Sequence, residues 1–356
     1  MKAAILVGTR PEVIKMASII KGLQAKNYPF ILIHSNQHYS SNMDEIFFDN
    51  LRLPRPDFNL NVGTGTHAEQ TAKIMMGLEK ILIQETIDIL FVQGDTNTVL
   101  AGGLTASKIG VKIAHVEAGL RSYDRSMPEE VNRIIVDSVA DYLFAVTGNQ
   151  KEILLGEGID SKRVFVVGNT IVDALNYSKD LIETKQVQVL ELPVKSKDYF
   201  LLTAHRPSNV DNPEALFELI DSLTKISRTY HKKILWPIHP RTRKNLVEHQ
   251  IILPDDFVVI EPVGYFDFIH LMVNAKAILT DSGGIQEEAC ILHIPCCTLR
   301  ENTERPEAVE VGASYICGRD FQKMKHALDN FFKKPLDWKN PFGDGRSAEK
   351  IIDIIY

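Results

Sequence analysis

The stretch Ala277-Ile278-Leu279-Thr280-Asp281-Ser282-Gly283-Gly284-Ile285-Gln286-Glu287-Glu288-Ala289 decides the fold. Its apolar run stops at Asp281, a Ser-Gly-Gly turn follows, and helical spacing begins at Ile285. A buried strand, a glycine turn and a helix in that order make an α/β unit. The turn aims free backbone N–H groups and the positive end of a helix dipole at one point, a site suited to phosphate. Gly283 and Gly284 carry no side chain, so a ligand can approach the backbone closely. Glu288, one turn beyond Gly284, is a poor partner for phosphate but a good acceptor for two ribose hydroxyls. One reading is therefore a nucleoside diphosphate site; the other is a plain strand-to-helix turn with two solvated glutamates.

Working outward, the same alternation fills the chain. Residues 3–7, 30–33, 89–92, 113–116, 142–146 and 164–167 read as strands, with helical spacing over 12–24, 68–84, 97–108 and 129–140. The pattern restarts with strands at 199–203, 234–238, 257–260, 277–280 and 296–299. Strands this apolar imply parallel sheets covered on both faces. The expectation is an α/β chain of two doubly wound, Rossmann-like domains, joined in the polar stretch 173–197 and facing a central cleft. The tail 347–356 has helical spacing that suits a return to the first domain. The expected division is 1–171 with 340–356, and 172–339 as the half that carries the glycine turn.

Bulk properties narrow the functions. A chain of 356 residues is long for a single core. A net charge of -6 argues against a nucleic-acid surface while leaving room for a polyanionic small ligand. Cys290, Cys296, Cys297 and Cys317 form no Cys-x-x-Cys pair, so buried free thiols in a reducing compartment are expected, not disulfides or zinc. The apolar run at the N-terminus is too short for a signal or an anchor, and no stretch reaches transmembrane length. A cytoplasmic protein without a membrane partner is the expectation.

Polar motifs fall at the strand ends, where such sheets bind ligands. Arg10 and Lys15, in Gly8-Thr9-Arg10-Pro11-Glu12-Val13-Ile14-Lys15, either meet an anion at a helix start or form a solvated basic face. Asp95, in Gly94-Asp95-Thr96-Asn97-Thr98, is placed either for catalysis or as an N-cap. Glu117, in His115-Val116-Glu117-Ala118-Gly119-Leu120-Arg121, needs a partner or a raised pKa in so apolar a setting, which makes it a functional candidate, with a structural pair to Arg121 as the plainer reading. Ser126-Met127-Pro128-Glu129-Glu130-Val131-Asn132-Arg133 reads as a capping box, with Glu129 and Arg133 sharing a helix face. His205 at a strand end is either an acid/base group or a structural histidine, and His239 closes the next strand.

These stretches together resemble the non-hydrolysing UDP-N-acetylglucosamine 2-epimerases. Gly-Asn-Thr-Ile-Val-Asp-Ala from Gly168 and Thr-Glu-Arg-Pro-Glu-Ala-Val from Thr303 extend the match to nearly the whole chain. The resemblance implies a glycosyltransferase-B type fold and inversion at C2 of UDP-N-acetylglucosamine to give UDP-N-acetylmannosamine. It implies anti elimination of UDP to 2-acetamidoglucal and re-addition, with no redox cofactor and no metal. By position it carries over Asp95, Glu117, Glu129, Arg133 and His205 as catalytic. Arg10, Lys15, Ser282, Gly283, Gly284 and Glu288 come over as UDP-binding. It also implies a homodimer serving surface polysaccharide synthesis, with substrate acting as an activator, a role that Gln37 and His239 fit.

The chain departs from the pattern at His205-Arg206-Pro207-Ser208-Asn209, where bacterial members commonly have His-Arg-Arg-Glu-Asn, and at Lys73, where they often carry arginine. The alternatives are a 2-epimerase of a UDP-diacetamido sugar acid, a hydrolysing 2-epimerase, a UDP-sugar glycosyltransferase and a catalytically silent sensor.

Overall fold

The computed structural model describes residues 1–36, 48–49, 51–303 and 305–356. Contacts divide the chain into two compact units, Met1–Asn176 with Phe342–Tyr356, and Tyr177–Pro341.

In the first unit the strands are β1 (Ala3–Val7), β2 (Phe30–His34), β3 (Phe58–Asn59), β4 (Ile89–Gln93), β5 (Lys112–Ala118), β6 (Tyr142–Ala145) and β7 (Val164–Val166). They pair in the order β3-β2-β1-β4-β5-β6-β7, all parallel. Every residue of β1 and β4 is buried, as a sheet with both faces covered requires. The helices are α1 (Arg10–Ala25), α2 (His67–Gln84), α3 (Asn97–Ile109), α4 (Pro128–Val139) and α5 (Gly148–Gly156). The next helix, α6 (Thr170–Glu183), occupies the first part of the polar stretch and runs across the boundary between the units.

The second unit repeats the plan. Its strands are β8 (Tyr199–Thr203), β9 (Lys233–Pro237), β10 (Phe257–Ile260), β11 (Ala277–Thr280), β12 (Cys296–Thr298) and β13 (Ser314–Ile316). They lie in the order β10-β9-β8-β11-β12-β13. Alternation along β8 sends Phe200 and Leu202 to one core and Tyr199 and Leu201 to the other. Around the sheet run α7 (Pro207–Val210), α8 (Pro213–Tyr230), α9 (Pro240–Glu248), α10 (Tyr265–Asn274), α11 (Gly283–Ile291), α12 (Pro306–Glu310) and α13 (Phe321–Lys333).

The chain then returns to the first unit as α14 (Ser347–Ile355). Asp173 accepts the Ser347 and Ala348 N–H groups at 3.2 and 3.0 Å and so supplies the cap that Arg346 does not. Lys26 bonds Asp353 at 2.5 Å, and Tyr28 stacks on Tyr356 at 3.9 Å.

The strands β3 and β13 escape a sequence reading because two or three residues at a sheet edge show no alternation. All four cysteines are buried and free. Among the described residues no helix is long and apolar enough to cross a membrane.

Candidate active site

Each sheet reverses its strand order at one point, beside β1 and β4 in the first unit and beside β8 and β11 in the second. Ligands of doubly wound sheets bind outside the carboxyl ends of strands at such switch points. The polar residues singled out above gather at these two places.

In the first unit Glu117 is the last-but-one residue of β5, and Asp95 lies just past the end of the neighbouring β4. Val92 pairs with His115 and Gln93 with Val116, and the β5–β6 register then shifts between Val116 and Ala118. That bulge holds Glu117 at φ 67°, a left-handed conformation that costs a residue with a side chain on the order of 1 kcal/mol. Such strain in a carboxylate only 7% exposed marks a constrained site. Glu117 accepts from Lys15 Nζ and Gln93 Nε2, each at 2.5 Å. Arg121 is not its partner. That guanidinium turns to Asp137 at 2.8 Å and to Glu157 at 2.5 Å.

Asp95 is not an N-cap: Thr96 caps α3 by accepting from Val99 N. The Asp95 carboxylate is paired with Arg133, and its carbonyl accepts from Asn132 Nδ2 at 2.8 Å. Burial raises its pKa first, Arg133 opposes that, and the nearby Glu117 charge adds to the rise. Two carboxylates whose charges are felt mutually can hold different protonation states.

The expected capping box at Ser126 does not form. Met127 is the N-cap of α4 without a side-chain bond, because the Ser126 hydroxyl turns to Asp124 at 2.6 Å. Arg133 pairs with Asp95 and Glu130, so the expected Glu129–Arg133 partnership is replaced. Glu129 stands half-buried in the first turn of α4. Arg10 opens α1. Lys15 is held on Glu117, and the Gly8 N–H is taken by the buried Glu12 at 2.5 Å.

In the second unit Asp281 is the residue that the sequence reading passed over, although it lies in the opening stretch. Thr203 pairs with Thr280, which brings the residues after both strands side by side. Fully buried, Asp281 accepts from His205 N, Arg206 N and Asn209 Nδ2 at 2.9–3.2 Å, and His205 Nδ1 lies 3.2 Å away. Burial lowers the His205 pKa, Asp281 opposes this, and Arg206 and His239 reinforce it. His239 lies with its ring 6.2 Å from that of His205 and caps α9 by accepting from Arg241 N at 3.2 Å. Gln37 lies outside the described residues.

Ser282 is the N-cap of α11 with no side-chain bond to the helix, so its hydroxyl leaves first-turn N–H groups to another acceptor. A Cβ placed on Gly284 would meet nothing within 4 Å. Room of that kind suits close approach of an anion to the backbone. Glu288, half-buried beyond it, acts on the half-buried Tyr265, whose phenol pKa is raised by burial and then by that charge.

Two doubly wound units, each with charged groups at its switch point and one with a glycine-started helix, define an α/β enzyme of the nucleotide-binding kind. The chain matches the family model described as UDP-N-acetylglucosamine 2-epimerase over residues 21–356. It is 51% identical over 361 residues to UDP-N-acetylglucosamine 2-epimerase of Methanocaldococcus jannaschii, covering 100% of this chain and 99% of that one. A crystal structure of the M. jannaschii UDP-GlcNAc 2-epimerase in complex with UDP-GlcNAc and UDP superposes with a TM-score of 0.84 at 50% identity, covering 100% and 99% of the two chains. UDP-2,3-diacetamido-2,3-dideoxy-D-glucuronate 2-epimerase of Pseudomonas aeruginosa is 36% identical over 361 residues, with 100% and 99% covered. The chain belongs to the UDP-N-acetylglucosamine 2-epimerase family and has its two-domain α/β fold.

Proposed function

We propose that the protein interconverts UDP-N-acetylglucosamine and UDP-N-acetylmannosamine by inverting C2 of the sugar. The observation that carries this reading is the coupled pair Asp95 and Glu117, each held against a cation at the end of adjacent strands.

In the proposed reaction a base takes the C2 proton while the C1–oxygen bond to UDP breaks, leaving 2-acetamidoglucal with a C1–C2 double bond. A proton then reaches C2 from the opposite face and a diphosphate oxygen re-forms the bond to C1. The C2 proton is not acidic, so the step needs strong stabilisation of departing UDP. The start of α11 at Ser282, Gly283 and Gly284, together with Arg10 and Lys15, is assigned that role, with Glu288 on the ribose. Taking a proton from one face of C2 and delivering one to the other needs acid/base groups on both faces, the use assigned to Asp95, Glu117 and Glu129. Arg133 sets the charge of Asp95, and His205 is kept oriented by Asp281. The same reading includes a cytoplasmic homodimer with His239 in an activator site.

The test is a proton NMR time course in deuterium oxide with UDP-N-acetylglucosamine. UDP-N-acetylmannosamine carrying deuterium at C2 is expected. Absence of both exchange and product would sink the reading. The P. aeruginosa relative supports a second one, a UDP-diacetamido sugar acid as substrate. Exchange with that sugar nucleotide and none with UDP-N-acetylglucosamine would decide for it.

A further inference from the structure

His115 is fully buried in β5, two residues before Glu117, and both of its ring nitrogens are engaged. Nδ1 lies 2.7 Å from Asp137 Oδ1, and Nε2 lies 2.8 Å from the Gly94 carbonyl oxygen. Asp137 also accepts from Arg121 Nη1 at 2.8 Å and from Gly119 N at 3.2 Å. A carboxylate against an arginine, which stays protonated, is itself ionised and only accepts. A backbone carbonyl also only accepts. Two acceptors on one imidazole require a proton on each nitrogen.

The geometry points to His115 as a positioning residue, an imidazolium clamp that ties Asp137 of α4 to the Gly94 carbonyl and so sets Asp95 against Glu117. The inference rests on the proposed function for its kinetic consequence, but not for the charge itself. Helix α4 grips the same loop three times. Asn132 holds the Asp95 carbonyl, Arg133 holds its carboxylate, and Asp137, one turn later, holds Gly94 through His115. On the other side the Gly94 N–H bonds the Val116 carbonyl, next to Glu117. Gly94 itself sits at φ 84°, so its carbonyl direction is not that of an ordinary strand end and needs a donor to hold it. The charged groups facing the ring are Asp137 and Arg121, with Asp95 and Arg133 beyond Gly94 and Glu157 beyond Arg121. Burial alone pushes the ring's pKa down, but Asp137, the Gly94 carbonyl and Asp95 together turn the shift upward.

Two measurements on the full chain test this. In histidine-labelled wild-type protein at pH 8, nitrogen NMR is expected to show one buried ring with both nitrogens protonated, absent from the spectrum of H115N. A wild-type spectrum in which every buried histidine is a neutral tautomer overturns the clamp. In the deuterium-exchange assay His115→Asn is expected to lower kcat roughly 100-fold with KM for the UDP-sugar unchanged, since a small misplacement of reacting groups costs about that much. A residue of merely structural value would lower the melting temperature and leave kcat of the folded enzyme intact; that result overturns the proposal. Asp137→Asn, which keeps the shape but removes the charge and turns one acceptor oxygen into a donor, supplies the same kinetic comparison if His115→Asn does not fold. Should the wild-type enzyme exchange no deuterium at all, the functional reading fails while the NMR measurement still decides the charge of His115.

Discussion

Glu12 shows what a single residue can hide. In the sequence it is one more acidic residue near a helix start, and the loop around it reads through Arg10 and Lys15. In the fold it is 2% exposed and occupies the Gly8 N–H at 2.5 Å and the Thr96 hydroxyl at 2.7 Å. Gly8 itself is closely packed, since a Cβ there would run into the Thr98 hydroxyl. Burial raises the Glu12 carboxyl pKa to about 7 against the pull of its hydrogen bonds. A folded pKa above the unfolded value contributes stability that is complete below about pH 4.5 and is lost as pH rises through about 7. The full span is about 3 kcal/mol at 1.36 kcal/mol per pH unit. Melting temperatures measured from pH 5 to 8 should therefore fall more steeply for wild type than for Glu12→Gln, whose amide keeps both contacts uncharged. Parallel curves would show that Glu12 titrates as in the unfolded chain. The residue types at the site were legible, since motif and position name Asp95, Glu117 and His205. Their partners were not. Lys15 is 102 positions from Glu117 and Asp281 is 76 from the His205 backbone it accepts from, separations that no local pattern encodes.

At the scale of elements, strand and helix types follow from apolar runs and helical spacing, and all the expected strands are present. What sequence spacing misjudged is the polar detail at their ends. Ser126 and Glu129 fit a capping box by type and spacing, yet Asp124 captures the serine and Asp95 captures Arg133. A cap is a competition among nearby acceptors, and a motif shows only one competitor. The start of α11 gives the sharper test, because both readings of its glycines remain physically reasonable until a ligand is added. Gly284 is exposed, and a methyl group there meets no protein atom. Inside a helix, alanine in place of glycine stabilises by up to about 1 kcal/mol. If the turn only connects β11 to α11, Gly284→Ala should raise stability and change nothing else. If the diphosphate sits on the backbone there, the same variant should keep or raise the melting temperature while weakening UDP binding at least tenfold, about 1.4 kcal/mol by calorimetry. The second result is expected. Unchanged UDP affinity would remove α11 from the proposed site.

Across the whole molecule, the two units each carry a sheet and cores of their own, and the chain leaves the first unit, builds the second and comes back. The alternation of strands and helices made the doubled α/β plan legible, because parallel sheets bury both faces and so write themselves as apolar runs. The sheet order was not legible, since strands of nearly equal apolarity do not say which neighbour they choose. That order is what puts Asp95 beside Glu117 and His205 beside Asp281. The returning helix α14 offers a test of the plan. Ile351, Ile352 and Ile355 are at most 8% exposed, and Ile352 lies against Gly22, a position where a Cβ would collide with it. Burying each such side chain contributes about 1.5–3 kcal/mol, to which the cap from Asp173 adds. That sum is comparable to the entire stability of an ordinary domain, about 5–15 kcal/mol. Deleting residues 342–356 should therefore strip hydrogen-exchange protection from β1, β4 and β5 while β8, β9 and β11 keep theirs, because no residue of α14 belongs to the second unit. Loss of protection spread evenly over both sheets would mean that the units do not fold as separate cores. Protection unchanged in both would mean that α14 lies on the first unit without stabilising it.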